Sequence, residues 1–419
     1  RELGYETIAI CSEDDKDSLH IRQADIAETV PGFGPSAYLN IDSILNVAKS
    51  HRADYLHPGY GFLSESSNFA SRVEQHGLTF VGPTVEQLAL FGDKVAARAT
   101  AIENGVPVLL ASSILKSPED LQEFLSESRP EEAFIIKAAG GGGGRGMRII
   151  QDKASATALW ESASAEANAA FGDPRLYAEQ YLANVRHIEV QIVGDGTGEV
   201  CHLWDRDCTI QRRHQKIIEI APAPNIENLT RTRMLDFAVK MAKNVKYRGL
   251  GTFEFLLDVD QNSVYFIETN ARLQVEHTVT EEVLGLDLVE LQLDIAAGKG
   301  FSQLGLETPQ DPIGYALQMR VNAETMDSAG NLRPASGILD ELVLPGGLGV
   351  RVDTAASKGA SIHPSFDSLI AKLIVHVRNP KLEDLFKRAR RVAKESNIAG
   401  CETNLSLLRA ILEEGRVEG

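Results

Sequence analysis

Cysteine, tryptophan and positive charge are all scarce in this chain. The four cysteines, Cys11, Cys201, Cys208 and Cys401, are scattered over 419 residues without C-x-x-C spacing. Neither a disulfide framework nor a zinc site is indicated, and a reducing compartment fits. The cytoplasm is the expected location, with the mitochondrion as the alternative. The first residues read as the tail of a helix, a turn at Gly4 and a strand, so the chain is expected to start inside a domain whose opening strand and loop lie before it. Lysine and arginine number 42 against 59 acidic residues, a net charge of -17, which disfavours nonspecific binding to nucleic acid or anionic lipid. No apolar run approaches membrane-spanning length; the longest, such as Phe253 to Leu257, are strand-sized. Internal repeats are missing, and low complexity is confined to one glycine run. What remains, 43% hydrophobic and 24% charged, is the composition of a globular protein with two or three domains. Any anionic ligand must meet a local basic pocket.

The glycine run is the strongest feature present. Lys137-Ala138-Ala139 leads into Gly140 to Gly144, followed by Arg145-Gly146-Met147. Glycine permits positive φ and close approach, so several N–H groups can point at an anion while Lys137 and Arg145 supply charge at either end. A linker is the bland reading. The apolar runs Ala133 to Ile136 and Met147 to Ile150 argue instead for a strand-loop-strand unit closing over phosphate. It is not a Walker loop, because no G-K-[ST] closes it and a strand follows.

Up to Pro83 short β runs alternate with helices. Ile41, Ile44, Leu45 and Ala48 repeat at helical spacing, as a helix laid on a parallel sheet requires. A helix carries Asp93 to Arg98 and another Glu119 to Leu125. From His187 the pattern changes: His187 to Val193 alternates like a half-buried antiparallel strand. Asp260 to Ser263 reads as the turn between two further strands, and Leu382 to Glu395 as an amphipathic helix with a solvated basic face.

Strand geometry over Val264 to Arg272 puts Glu268, Asn270 and Arg272 on one face, and Glu254 joins them from the paired strand. Two carboxylates and an amide oxygen suit magnesium. A surface ladder neutralised by Arg272 explains the hairpin alone equally well; the glycine loop and isolated lysines favour a magnesium nucleotide. In extended geometry Arg272, Gln274 and Glu276 share a face, giving a cation, an amide and a base for a small oxyanion. His277 falls on the other face and reads as structural. Arg206, Arg212, Arg213, His214 and Lys216 form a basic cluster in an acidic chain, which suggests a loop gripping polyphosphate. Cys208 reads as a packing residue.

Together these segments, with His57 to Glu65, Gln211 to Lys216, Arg272 to His277 and Arg320 to Glu324, resemble the biotin carboxylase family, an ATP-grasp fold. They span nearly the whole chain in the family's order. The resemblance implies an α/β and α+β architecture: an N-terminal Rossmann-like parallel-sheet domain over 1–83, truncated; a helical connector over 84–110; a small glycine-loop lid over 111–181; and a mixed α+β domain over 182–419. It implies ATP contacts at Lys94, Lys137, Gly142, Gly143, Gly144, Glu179, Leu182, His187, Gln211 and His214. It implies metal ligands at Glu254, Glu268 and Asn270 for magnesium, with manganese as the alternative. Lys216 is similar to the residue beside the transferred γ-phosphate. Arg272, Gln274 and Val275 resemble the bicarbonate contacts, Glu276 the base, and Arg320 the arginine that steadies the biotin enolate.

The implied reaction is attack of bicarbonate on the γ-phosphate to give carboxyphosphate, whose carbon dioxide is captured by N1 of biotin. The implied partners are a biotin carboxyl carrier domain and a carboxyltransferase, in a longer chain or on another subunit, because no A-M-K-M attachment motif occurs here. A homo-oligomer is compatible, and the final carboxyl acceptor stays open. Gln180 departs from the pattern, standing where many relatives carry lysine. Two other readings remain: another ATP-grasp carboxylate-amine ligase, which Glu276 and Arg320 count against, and a noncatalytic ATP-binding module.

Overall fold

The computed structural model describes residues 1–129, 132–140, 146–212, 215–308, 310–327, 332–363 and 365–414. Its N-terminal layer holds two parallel strand pairs, Ile8–Cys11 with Ile26–Thr29 and Tyr55–Leu56 with Thr79–Phe80. The helix Ile41–Ser50 is capped by Asn40, whose side chain accepts from the Ser43 N–H, and it buries Ile44, Leu45 and Ala48 as the spacing requires. Gln87 fixes this layer to the rest of the chain, its Nε2 donating to the Val245 and Lys246 carbonyls at 3.0 Å.

A three-stranded antiparallel sheet follows, with Ala133–Ala138 between Arg148–Ile150 and Leu176–Tyr181. The hairpin expected on either side of the glycine run therefore forms. Its own small core, with Leu121, Leu125, Phe134 and Ile136, lies under the helices Pro118–Ser126 and Ala156–Phe171. Gly142, Gly143 and Gly144 lie outside the described residues.

The main sheet has eight strands: β1 (Val185–Asp195), β2 (Val200–Asp207), β3 (Ile218–Ala221), β4 (Arg248–Asp258), β5 (Ser263–Asn270), β6 (Tyr315–Asn322), β7 (Val350–Thr354) and β8 (Leu369–Val377), in the order β5-β4-β1-β2-β3-β6-β8-β7. All its pairings are antiparallel. Ile188, Val190 and Ile192 of β1 share a core with Met234 and Ala238 of the helix Asn228–Asn244. Tyr247, Phe253 and Phe266 extend this core toward Phe91 of the N-terminal layer, the Phe91 and Phe253 rings standing 5.5 Å apart. Gly194 and Gly251 admit Tyr247: a Cβ at either would lie 2.1 Å from its carbonyl oxygen or 2.2 Å from its hydroxyl.

One expectation for β1 needs correcting. The alternation predicted a strand with one wet face, yet Glu189 and Gln191 are as buried as the apolar residues between them, at 0% exposure. On that side of the sheet the helix His277–Leu284 packs over the neighbouring strands β2 and β3, and the polar side chains of β1 find partners inside the protein, Arg206 above all. Among the described residues no helix is long and apolar enough to cross a membrane.

Candidate active site

A cavity of about 650 Å³ opens between the small antiparallel sheet, the main sheet and the loop around Glu65. Every described residue assigned from the sequence lines it: Lys94, Lys137, Glu179, Leu182, His187, Gln211, Lys216, Glu254, Glu268, Asn270, Arg272, Gln274, Val275, Glu276 and Arg320. Gln180 lines it too. His214 lies outside the described residues.

The register of the β4–β5 hairpin explains the carboxylates. Glu254 stands directly opposite Glu268, and Thr252 opposite Asn270, so one face of two strands presents three oxygen donors side by side. Cations surround them. Lys94, on the first turn of the helix Lys94–Glu103, reaches Glu268 at 2.8 Å, and His187 Nε2 reaches Glu254 at 2.6 Å. Asn270 donates to Glu254 and accepts from Arg272, both at 2.8 Å. Lys94 holds the Glu268 carboxyl below its ordinary pKa against the effect of burial. Burial works against the charge on His187, but Glu254 outweighs it and keeps its pKa raised. Gln211 fixes the ring from the other side, 2.9 Å from Nδ1. At the far end Lys137 pairs with the buried Glu179.

Lys216 is the centre of the site. Its Nζ donates to Glu189 at 2.5 Å, Glu276 at 2.8 Å and Glu254 at 2.9 Å. Burial alone would strip the ammonium of its proton; the three carboxylates reverse that and raise its pKa well above the ordinary lysine value. Glu276 is gripped from two sides, by Lys216 and by Arg320 Nη2 at 2.9 Å. Although buried, it is held far below the usual carboxylate range. Arg320 is itself held by Glu219 at 2.5 Å. Such an array can bind a polyanion and keep a carboxylate ionised next to it.

The segment from Arg272 to Glu276 does line one pocket, but not in extended geometry. It is a loop that turns into a helix, with Glu276 at the N-cap of His277–Leu284. The turn brings Val275 to the cavity as well, its carbonyl accepting from Lys372 at 3.1 Å. His277 is structural, as expected: it is buried, with Nδ1 2.6 Å from the Gln274 carbonyl. Burial, with Lys372 nearby, lowers its pKa from 6.5 to about 4. A group buried neutral contributes stability above its unfolded pKa and loses it as pH falls toward the folded one. Between pH 6.5 and 4 the protein is therefore expected to lose up to about 3 kcal/mol through this residue. Urea titrations of the wild type and of His277→Gln across that window check this; parallel pH curves would contradict it.

The basic cluster divides three ways. Arg206 is wholly buried in the sheet and grips no phosphate, so the polyphosphate-loop expectation is wrong for it. Arg212 pairs with Glu324 at 2.5 Å, Lys216 alone of the described members enters the cavity, and Arg213 and His214 lie outside the described residues. Sequence reasoning missed Glu189 and Glu219, the fully buried carboxylates behind Lys216 and Arg320. The signal was one charged residue in an apolar strand, as in Ile218-Glu219-Ile220. Cys208 packs as expected, within 4.8 Å of Glu189 and Glu276, and burial pushes its thiol well up.

A parallel N-terminal layer, an antiparallel lid sheet and a carboxylate-bearing main sheet closing on one cavity define an ATP-grasp enzyme. Family profiles match along nearly the whole chain: "Biotin carboxylase, N-terminal domain" over 1–88, "Carbamoyl-phosphate synthase L chain, ATP binding domain" over 93–304 and "Biotin carboxylase C-terminal domain" over 318–419. Biotin carboxylase 1 of Bacillus subtilis is 40% identical over 418 residues, covering 99% of this chain and 90% of that protein. Pyruvate carboxylase of Aspergillus niger is 43% identical over 421 residues, covering 98% of this chain and 34% of that protein. The biotin carboxylase domain of Hydrogenobacter thermophilus 2-oxoglutarate carboxylase, a dimer solved with MgADP, ADP and bicarbonate, superposes with a TM-score of 0.93 at 39% identity, covering 100% and 90% of the two chains. The chain belongs to the biotin carboxylase family. It spans about a third of the length of the pyruvate carboxylases it matches.

Proposed function

We propose that this chain carboxylates N1 of biotin with bicarbonate at the expense of ATP, as one component of a larger biotin-dependent carboxylase. One observation carries the reading: a buried, ionised Glu276 lies between Lys216 and Arg320, in the same cavity as the facing carboxylates of β4 and β5. Membership of the family makes the chain an ATP-dependent ligase.

In this reading Lys94 and Lys137 hold the phosphates of ATP, with Glu179 and Leu182 at the adenine and His187 and Gln211 toward the ribose and phosphates. Glu254, Glu268 and Asn270 are hard oxygen donors on adjacent strand positions, a set that fits magnesium or manganese. When bound, the ion supplies neutralisation of phosphate charge. Arg272, Gln274 and the Val275 backbone receive bicarbonate, and Glu276 takes its proton. The two cations that hold Glu276 are also those expected to meet substrate. As the γ-phosphate engages Lys216 and the biotin oxygen engages Arg320, each loosens its hold on Glu276, and the carboxylate gains basicity where a proton must be taken. The carbon dioxide released from carboxyphosphate needs a closed site, which the lid sheet and the glycine run, outside the described residues, are suited to provide.

We retain 1–83, 84–110, 111–181 and 182–419 as the proposed domains. A biotin carboxyl carrier and a carboxyltransferase are the proposed partners, on a longer chain or a separate subunit. The described cysteines are free and buried, in keeping with the proposed cytoplasmic location.

The test is ATP hydrolysis with magnesium and free biotin, with and without bicarbonate. Bicarbonate-dependent turnover, abolished by chelation of the divalent ion, is expected. Glu268→Gln is expected to raise the magnesium concentration for half-maximal turnover about tenfold or more, the loss of one charged oxygen donor. Nucleotide binding without bicarbonate stimulation would favour a noncatalytic module.

A further inference from the structure

Arg206, near the end of β2, is a guanidinium with no exposed surface and five N–H donors, all of them used. Nε donates to Glu189 Oε1 at 2.5 Å. Nη1 donates to Gln191 Oε1 at 2.8 Å and Thr280 Oγ1 at 2.9 Å. Nη2 donates to Thr252 Oγ1 at 3.1 Å and to Gln274 Oε1 at 2.8 Å. Four of the partners lie behind the cavity, and one, Gln274, lines it.

That last bond has a chemical consequence. A guanidinium has donors and no acceptor, so the Gln274 atom facing Arg206 must be the amide oxygen. The NH2 group is then turned the other way, where it donates to Glu254 Oε1 at 2.9 Å on the cavity side. Glu254 Oε1 favours the same orientation but is shared with Lys216 and Asn270, so without Arg206 the amide is held at one end only and by a crowded acceptor. Flipped, it would offer an oxygen to an incoming oxyanion and repel it.

We propose that Arg206 is a positioning residue that fixes the orientation of the Gln274 amide, so that its NH2 group faces the bicarbonate pocket. Arg206 touches no substrate; it acts through Gln274, and the role rests on the reading of this cavity as a bicarbonate site. Lysine at this position keeps the charge but cannot reproduce a five-donor planar fork.

The experiment measures ATP hydrolysis against bicarbonate concentration for the full chain, for Arg206→Lys, for Gln274→Ala and for the double variant, with MgATP affinity measured separately by binding titration. Arg206→Lys is expected to raise the bicarbonate KM roughly tenfold or more, the scale of one lost hydrogen bond to a charged group. MgATP affinity should stay within about twofold. In the Gln274→Ala background, Arg206→Lys should change the bicarbonate KM by less than about twofold, because the group it orients is gone. Thr252→Val loosens Nη2 without removing the buried charge; if Arg206→Lys does not fold, it reads the same effect in the same direction. Effects that multiply in the double variant, or an equal loss of MgATP and bicarbonate binding, would overturn the positioning role while leaving the functional reading intact. A wild-type chain without bicarbonate-dependent turnover would sink both.

Discussion

Glu276→Gln lowers bicarbonate-dependent ATP turnover by about 10²- to 10⁴-fold, the usual contribution of a positioned general base, and leaves MgATP affinity nearly unchanged. The two readouts separate because Lys94 and Lys137 make their ion pairs with Glu268 and Glu179; of the lysines proposed to meet phosphate only Lys216 pairs with Glu276, and it keeps Glu189 and Glu254 as partners in the variant. Glutamine matches the carboxylate in size, so the loss reports charge and basicity. It also turns an NH2 group toward one of the two cations that now grip an oxygen each, Lys216 at 2.8 Å and Arg320 at 2.9 Å. Retention of more than about a tenth of wild-type turnover would remove Glu276 from the role of base.

Lys216→Met should have the largest effect on stability. The ammonium neutralises Glu189, Glu254 and Glu276 at once, all three carboxylates being buried. Removing one partner from a buried ion network leaves uncompensated charge, at a cost of about 3–5 kcal/mol. The pH dependence gives the mechanism away. In the wild type Lys216 helps hold the Glu254 and Glu276 pKa values below 4.5 against the pull of burial, so their contribution is present above that pH and lost as pH falls. In the variant that hold is lost, so the pKa values of Glu254 and Glu276 rise and less stability is given up as pH falls. The stability gap between the two proteins should therefore be widest near pH 8 and narrow toward pH 5, as read by chemical denaturation at both values. A gap of constant width would mean that lost packing, and not uncompensated charge, sets the cost. Turnover should fall as well, since the same ammonium is proposed to meet the γ-phosphate.

The chain announced much of its architecture locally. A helix stripe such as Ile41, Ile44, Leu45 and Ala48 is written at a fixed period, and the hairpin of β4 and β5 follows from two apolar runs around the turn at Asp260 to Ser263, although the register shift between Glu254 and Phe255 that sets Glu254 opposite Glu268 does not. The site residues were legible because most sit in short, unusual motifs: a glycine run, Gln211 to Lys216 and Arg272 to His277. Burial of polar groups was not legible in the same way. Glu189 and Gln191 alternate with apolar residues just as solvent-facing positions would, and Arg206 lies in a segment that looks basic and exposed.

What the sequence determined by itself was periodicity, pairing and the inventory of charged groups, because these depend on residues a few positions apart. Only the tertiary structure decided which charges meet. A helix folded over this face of the sheet, on β2 and β3, helped drive Glu189, Gln191 and Arg206 out of water, and a buried ion is tolerated only where partners from β1, β4 and the loop before Glu276 arrive together. Lys216 became the hub of three carboxylates for the same reason: residues 27, 38 and 60 positions away along the chain converge on one nitrogen.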